Sequence, residues 1–189
     1  MADVEWTDVM IDVETTGLNS HINGIIQIAA IKFNLAERKI GPMFNRCPML
    51  LPFRQWDEDT RNFWRVKNAN VYADIVAKQE PGEAVFRDFF EFIRRDPQPE
   101  DTGIRTWMKP THFDWGFVAS HMEQVGLIMP LHYRYARDLN SYMAGLTGKP
   151  DHVSVEKEVP FPAGGKEHDA LYDTAWQVDQ LFFATRDLT

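Results

Sequence analysis

Two carboxylates near the start of the chain have the spacing of a shared cation site. Every second side chain of residues 8–14 is branched and apolar, which predicts a β-strand, so Asp12 and Glu14 leave the same face about 6–7 Å apart. Inside a sheet, two carboxylates this close repel each other and lose hydration, so one must be protonated or both must bind a cation. The alternative is a strand end that opens into solvent.

The residues after this pair predict a tight turn. Thr15-Thr16-Gly17-Leu18 follows the carboxylates directly and offers backbone N–H groups, two hydroxyls and a protruding leucine. All of these groups would lie beside any cation that the carboxylates hold.

A third carboxylate begins the apolar stripe of a helix predicted over 113–126. Asp114 precedes apolar residues at helical spacing, which are Phe117, Val118, Met122 and Val125. Its carboxylate is therefore expected to face the core. An acidic residue in the first turn also has a simpler explanation, since it complements the helix dipole.

The last candidate residues lie at the start of a final helix predicted over 169–186. Asp169 is a plausible N-cap, which places His168 on the preceding loop and Asp173 on the second turn. Asp173 points away from the apolar stripe of this helix, a position typical of a solvated side chain. Periodicity alone therefore does not select Asp173 or His168 as functional.

The elements that must position these residues form an α/β pattern. Strands are expected over 8–14, 24–33, 39–46 and 104–109, helices over 57–66, 68–78, 83–95, 113–126 and 169–186, and loops over 96–103 and 148–165, while 133–143 is ambiguous. A turn through Leu35–Arg38 makes the first three strands an antiparallel meander. A meander followed by strands alternating with helices predicts a mixed sheet covered by helices.

Composition limits the classes of function. The 189 residues predict a single domain spanning 1–189, and the net charge of −8 argues against non-specific coating of nucleic acid. The single cysteine, Cys47, cannot form an intramolecular disulfide, which favours a reducing compartment. Neither a membrane-length apolar run nor a signal-like N-terminus is present, so we expect a soluble, cytoplasmic protein with no membrane partner.

Together, the candidate residues resemble the three motifs of the DEDDh exonuclease superfamily, the DnaQ-like branch of the ribonuclease H-like fold. The motifs follow in order as IDVETTGL, HFD at 112–114 and H-x4-D at 168–173, and the resemblance covers residues 8 to about 183. The pattern is most similar to a compact, stand-alone phage and bacterial branch, in which a tryptophan equivalent to Trp64 and a closing motif equivalent to 168–177 recur. The resemblance implies an α/β, ribonuclease H-like mixed five-stranded sheet, with an antiparallel three-strand meander plus parallel strands, flanked by helices.

The resemblance also implies a reaction. Asp12, Glu14, Asp114 and Asp173 would hold two divalent metal ions, and ligation by oxygen favours Mg²⁺ or Mn²⁺. His168 would be the general base that takes a proton from the attacking water. The implied activity is hydrolysis from the 3′ end of single-stranded DNA or RNA, which releases nucleoside 5′-monophosphates by two-metal in-line displacement.

Contacts to the terminal nucleotide are implied as well. The backbone around Thr15 and Gly17 would grip that nucleotide, with Leu18 wedged against its base. Phe113 and Trp64 would stack on exposed bases, although core packing explains these aromatic residues equally well.

One position departs from the pattern of the superfamily. Many relatives carry an asparagine upstream of the F-D pair, where this chain has Lys109 followed by Pro110, Thr111 and His112. Lys109 then contacts a phosphate, or the local loop differs.

Two other classes of function stay open at this point. A catalytically idle nucleic-acid-binding or scaffolding module of the same fold would normally lack one or more of the carboxylates. An endonuclease would release oligomers instead of mononucleotides, and the histidine of H-x4-D argues against a ribonuclease H-type site. The resemblance leaves open the choice between DNA and RNA, the biological role and the oligomeric state, although ribonuclease-type relatives often form homodimers.

Overall fold

A mixed sheet of six strands carries the candidate residues. The computed structural model describes residues 5–95, 103–148 and 157–187. The strands are β1 (Asp8–Thr15), β2 (Ile25–Asn34), β3 (Lys39–Pro48), β4 (Gln79–Glu80), β5 (Arg105–Met108) and β6 (Ala136–Asp138). Their order across the sheet is β4-β3-β2-β1-β5-β6, so β1 lies inside the sheet.

Helices cover both faces of this sheet. They are α1 (Glu58–Asn62), which continues into a π-helix over Phe63–Lys67, α2 (Ala69–Ala77), α3 (Gly82–Arg94), α4 (Thr111–Gln124), α5 (Leu139–Thr147) and α6 (Ala170–Ala184). None of the helices in the described ranges combines the length and apolar character that crossing a membrane requires.

The predicted meander is confirmed. Strands β1, β2 and β3 pair antiparallel in sequence, whereas β5 pairs parallel with β1 and β6 pairs parallel with β5. These five strands are the arrangement expected from the sequence. The short strand β4, which no pattern predicted, extends the sheet by pairing parallel with β3.

Three local differences from the predicted elements were found. The helix expected over 57–66 is interrupted, because its second half adopts the wider π-helix. The ambiguous stretch 133–143 contains a 3₁₀ turn at Tyr133–Tyr135, then β6 and the start of α5. Residues 96–102 and 149–156, which belong to the two predicted loops, lie outside the described residues.

The side chains of β1 alternate between two cores. Val9, Ile11 and Val13 pack with the buried residues of α3 and α4 on one face of the sheet. Met10 packs with residues of α5 and α6 on the other face. Asp12 and Glu14 follow Met10 in the same alternation, so β1 directs both carboxylates to the α6 face.

Candidate active site

The centre of the site is the carboxyl end of β1. Strand β5 pairs with β1 only over Asp8–Met10, so the later part of β1 has no strand neighbour on that side within the described residues. Asp114, at the start of α4, occupies this position, and its Oδ1 accepts a hydrogen bond of 3.3 Å from the backbone N–H of Val13. Its side chain is buried, as the apolar stripe of α4 predicted.

Helix α6 brings the other two candidates to the same place. Asp169 caps this helix as predicted, since its side chain accepts from the backbone N–H of Leu171. The backbone N–H of His168 donates to Asp173 Oδ2 at 2.8 Å. A ring nitrogen of His168 and carboxylate oxygens of Glu14 and Asp173 all lie within 4.8 Å of one another.

Asp173 therefore faces the site even though it points away from the apolar stripe of α6. The direction expected from periodicity is correct, but the side that it faces is the cleft at the end of β1 rather than open solvent. His168 has a φ of 65°, a left-handed backbone conformation that is uncommon for residues with a side chain.

Two glutamines that sequence reasoning did not select hold these acidic groups. Gln177 Nε2 donates to Asp12 Oδ1 at 2.9 Å. Buried Gln27 on β2 donates to Asp169 Oδ1 and accepts from the N–H of Ala170, which ties the start of α6 to the sheet. Gln177 belongs to the closing W-Q of the resemblance, whereas the sequence signal for Gln27 is only a polar residue inside an apolar strand.

The carboxylates destabilise one another's charged forms. Burial, followed by repulsion from Asp173, raises the pKa of Asp12 to about 8. Burial and the neighbouring carboxylates, Asp12 first, also raise the pKa of Glu14 and of Asp114 well above their ordinary values. Burial raises the pKa of Asp173 to about 6. In each case burial is the largest cause.

These residues fit divalent metal ions. Asp114 Oδ2 is buried and has no hydrogen-bond partner among the described residues, so an acceptor is left without a donor. A cation bound among the carboxylates would satisfy this oxygen and reverse the unfavourable repulsion. Carboxylate oxygen donors are typical of Mg²⁺ and Mn²⁺ sites.

The turn after β1 differs from the expectation in one respect. The Thr15 hydroxyl donates to the Gly17 carbonyl, and the Thr16 hydroxyl donates to the Gln55 carbonyl while accepting from the N–H of Gly24. Both hydroxyls therefore hold the turn in place and are not directed at a ligand. A Cβ on Gly17 would lie 2.3 Å from Asn23 Oδ1, so the turn requires glycine at this position.

A cavity of about 620 Å³ opens beside the carboxylates, within the size range of small-molecule sites. The residues that line it are Val13, Glu14, Thr15, Leu18, Asn19, Asn23, Asp57, Asp59, Thr60, Phe63, Trp64 and Phe113. Leu18 is 81% exposed and Phe113 is half-buried. Trp64 is almost fully buried and its indole N–H donates to the Thr15 carbonyl at 2.9 Å. It therefore forms part of the cavity wall, and little of its ring is exposed for stacking on a base.

Lys109 follows β5 on the α6 side of the cluster. Its Nζ lies 5.4 Å from the centre of the Trp176 ring, and the Trp176 indole N–H donates to the Val159 carbonyl. The positive charge of Lys109 lowers the pKa of Asp12 and of Asp173, which opposes part of the effect of burial.

Comparisons with known proteins identify a family and related chains. The chain matches the family described as the 3′-5′ exoribonuclease Rv2179c-like domain over residues 7–184. It is 25% identical over 187 residues to ribonuclease T of Actinobacillus pleuropneumoniae serotype 5b (strain L20), which covers 95% of this chain and 83% of that protein.

Solved structures share the fold. The nuclease domain of 3′hExo, a DEDDh family member bound to rAMP, superimposes with a TM-score of 0.73 at 12% identity, covering 98% of this chain and 95% of that chain. Escherichia coli exonuclease I in complex with a dA16 oligonucleotide superimposes with a TM-score of 0.70 at 15% identity, covering 97% of this chain and 42% of that chain. This chain therefore spans less than half of exonuclease I.

The mixed sheet agrees with the folds of these related structures, and the family match covers nearly the whole chain. The chain belongs to the 3′-5′ exoribonuclease Rv2179c-like domain family, and it shares its fold with the nuclease domain of 3′hExo.

Proposed function

We propose that this chain removes nucleoside 5′-monophosphates from the 3′ end of single-stranded nucleic acid and prefers RNA to DNA. The observation that carries the proposal is the convergence of the half-buried carboxylates of Glu14 and Asp173 with His168, at the edge of a cavity large enough for a nucleoside. The exoribonuclease description of the family and the likeness to a ribonuclease T support RNA as the preferred substrate.

Asp12, Glu14, Asp114 and Asp173 are the proposed ligands of two divalent ions, Mg²⁺ or Mn²⁺. When bound, such ions stabilise the attacking and leaving oxygens of an in-line displacement at phosphorus. The carboxylates supply the negative charge that retains the ions, and Gln177 fixes the orientation of Asp12 through its amide hydrogen bond.

His168 is the proposed general base. An imidazole can accept a proton near neutral pH, and this ring lies next to Glu14 and Asp173, where the attacking water must approach. The hydrogen bond from its backbone N–H to Asp173 fixes the loop that carries the ring.

The cavity is the proposed site of the 3′-terminal nucleoside. Leu18 and Phe113 offer apolar surface to a base, and the backbone around Thr15 and Gly17 would contact the sugar. Asp57 and Asp59 also line the cavity, and their carboxylates would repel a phosphate, so the phosphodiester is expected at the carboxylate cluster and the nucleoside inside.

Lys109 is the proposed contact to the scissile phosphate. It contributes a positive charge beside Asp12 and Asp173, and Trp176 supports it from the other side. This role would replace that of the asparagine found upstream of the F-D pair in many relatives.

A gel time course tests the proposal. RNA and DNA of one sequence, labelled at the 5′ end, would be incubated with Mg²⁺, Mn²⁺ or EDTA. We expect a ladder that shortens from the 3′ end in either metal but not in EDTA, with faster shortening of RNA. Asp114→Asn should reduce the reaction to the EDTA level.

Glu123→Gln provides the matched control, because Glu123 is an exposed carboxylate on the same helix as Asp114. It should keep the wild-type rate. Failure of the wild-type protein to shorten either strand would contradict the proposal and favour an idle binding module, and oligomeric products would favour an endonuclease.

A further inference from the structure

The ring of His168 is held by aromatic contacts. Within residues 5–95, 103–148 and 157–187, no protein group hydrogen-bonds either of its ring nitrogens. Its ring centre lies 4.9 Å from that of Phe63 with the planes at 84°, and 6.5 Å from that of Trp64 at 82°. Catalytic histidines are usually oriented by a hydrogen bond to the second ring nitrogen; the contacts described for this ring are with aromatic neighbours, which can restrain its orientation.

Of these two neighbours, Phe63 is the one that can respond to a ligand. Trp64 is almost fully buried and fixed by its hydrogen bond to the Thr15 carbonyl. Phe63 is half-buried and lines the 620 Å³ cavity, whereas His168 does not line it. The Phe63 ring therefore contacts both the cavity and His168.

Phe63 and Trp64 are the first two residues of the π-helix. The N–H of Asn68 bonds to the carbonyl of Phe63, five residues earlier, so this turn contains one residue more than an α-helical turn. Phe63 and Trp64 are adjacent in sequence, yet Trp64 lies beneath the turn after β1 and Phe63 packs against the loop before α6. The two elements that carry catalytic groups therefore meet at this turn.

We infer that Phe63 is a positioning residue that couples filling of the nucleoside cavity to placement of the His168 ring. This inference rests on the proposed function, because it assigns the cavity to the terminal nucleoside and the histidine to proton transfer. A base in the cavity restrains the Phe63 ring from one side, and the ring in turn restrains the imidazole through its edge-to-face contact. The histidine is then best placed when a 3′ terminus is bound.

A double-mutant cycle with steady-state kinetics tests the coupling. Phe63→Leu should lower kcat by about 10- to 100-fold, since a displacement on the order of 1 Å of a reacting group costs about that much. In a His168→Asn background, the same substitution should change the residual kcat by less than about 3-fold, because the group that Phe63 positions is already absent. KM should rise by a similar factor in both backgrounds, since Phe63 lines the cavity in each.

Two further variants separate positioning from loss of structure. Phe63→Tyr keeps the ring and should restore most of kcat. Trp56→Leu removes an aromatic side chain that packs against Tyr72 in the same region. Trp56 does not line the cavity and has no described ring contact with His168, so this substitution should leave kcat unchanged. An equal loss of kcat from Phe63→Leu in the presence and absence of His168 would overturn the inference.

A spectroscopic measurement separates this inference from the proposed function. The ¹³C–¹H ring signal of His168, assigned by its absence in His168→Asn, should shift when AMP is added to the Mg²⁺-containing wild-type protein and should shift much less in Phe63→Leu. A wild-type protein that cleaves RNA but shows the same AMP-induced shift in Phe63→Leu would refute the coupling alone. A wild-type protein that cleaves nothing would refute the proposed function, and the AMP-induced shift would still decide whether Phe63 couples the cavity to His168.

Discussion

At the scale of single residues, the site gathers four carboxyl groups around the end of β1, and Asp114 is buried among them. Another buried carboxylate, that of Asp8, is paired: it accepts two hydrogen bonds from Arg105 and one from the Trp107 indole. Asp114 Oδ1 accepts from the Val13 amide, whereas its buried Oδ2 has no partner within hydrogen-bond geometry among the described residues. A structural role would favour pairing, so the unpaired oxygen indicates a ligand.

This charge predicts how the stability of the metal-free protein depends on pH. The pKa of Asp12 is raised to about 8 and that of Asp173 to about 6, so the folded state keeps protons that the unfolded chain releases above about pH 4. The free energy of unfolding should therefore fall as pH rises, by up to about 1.4 kcal/mol per pH unit for each proton kept. Saturating Mg²⁺ should remove most of this loss.

Urea denaturation in EDTA at about pH 6.5 and pH 8 measures the effect. Burial lowers the pKa of His121 to about 3, so this residue produces the opposite trend mainly below its unfolded pKa of about 6.5, and the carboxylates dominate in this window. Asp12→Asn should be more stable than wild type near pH 8 and show a shallower slope, while Glu123→Gln should match wild type. A free energy of unfolding that increases toward pH 8 would contradict the assignment of the cluster.

At the scale of elements, β1, α4 and α6 each contribute residues through a local device. Strand β5 ends early, which leaves the Val13 amide for Asp114. Gln27, near the start of β2, binds both Asp169 and the Ala170 amide at the start of α6. The loop that carries His168 is thereby held to the sheet by the buried side chain of Gln27.

Removal of the Gln27 side-chain hydrogen bonds should lower kcat by more than the accompanying loss of folding stability explains. Gln27→Met preserves volume but loses the hydrogen bonds to α6, and we expect kcat to fall by about 10- to 100-fold, as for other supporting contacts of metal sites. Hydrogen exchange should become faster over residues 166–173. Steady-state kinetics and exchange measured by mass spectrometry would check both.

Thr185→Val is the matched control for this prediction. It removes a buried hydrogen bond at the opposite end of α6, where the Thr185 hydroxyl donates to the Leu181 carbonyl. A similar loss of stability with an unchanged kcat is expected. If both variants lowered kcat equally, general loosening of α6 would explain the result and the anchoring role of Gln27 would be wrong.

The sequence predicted most elements because their signals are local. Alternation identified β1, the continuous apolar run identified the fully buried β2, and the cap at Asp169 located the start of α6. The π-helix was not predictable, since the residues around Phe63 satisfy an α-helical pattern equally well. Strand β4 depends on a two-residue pairing with β3 that leaves no periodic signal.

The site was predictable only in part for a physical reason. Periodicity gives the direction of a side chain relative to its own helix, and for Asp173 it could not show that this direction meets the end of β1. The position of Gln177 beside Asp12 likewise depends on how α6 packs across β1. The motif resemblance supplied what periodicity lacked, because it relates residues from separate elements.

At the scale of the whole molecule, the site lies where both layers of the fold meet. Asp114 comes from the helical layer on one face of the sheet, and His168 and Asp173 come from the layer on the other face. The end of β1 is shared by both layers, so one site can draw ligands from each. The same location places the cluster beside a cavity that is open to solvent, where the 3′ end of a nucleic-acid strand can enter.

The overall charge predicts how this protein binds a polyanion. With a net charge of −8, most of the surface repels nucleic acid, and attraction must come from the metal-binding centre and from local cations such as Lys109. Few phosphate contacts imply a weak dependence on salt. If one or two phosphates are neutralised by side chains, KM for single-stranded RNA should rise only about 3- to 7-fold between 50 and 200 mM monovalent salt at fixed Mg²⁺.

Lys109 should account for a measurable part of that dependence. Lys109→Gln is expected to raise KM and to reduce the slope of log KM against log salt by about 0.7, the contribution of one contact to single-stranded nucleic acid. Lys39→Gln removes an exposed lysine at the start of β3 that pairs with Glu37, and it should leave the slope unchanged. A slope unaffected by Lys109→Gln would mean that this lysine interacts with the carboxylates and not with the phosphate. A hundredfold rise in the KM of the wild-type protein over this salt range would instead indicate an extended basic surface that binds several phosphates of the RNA.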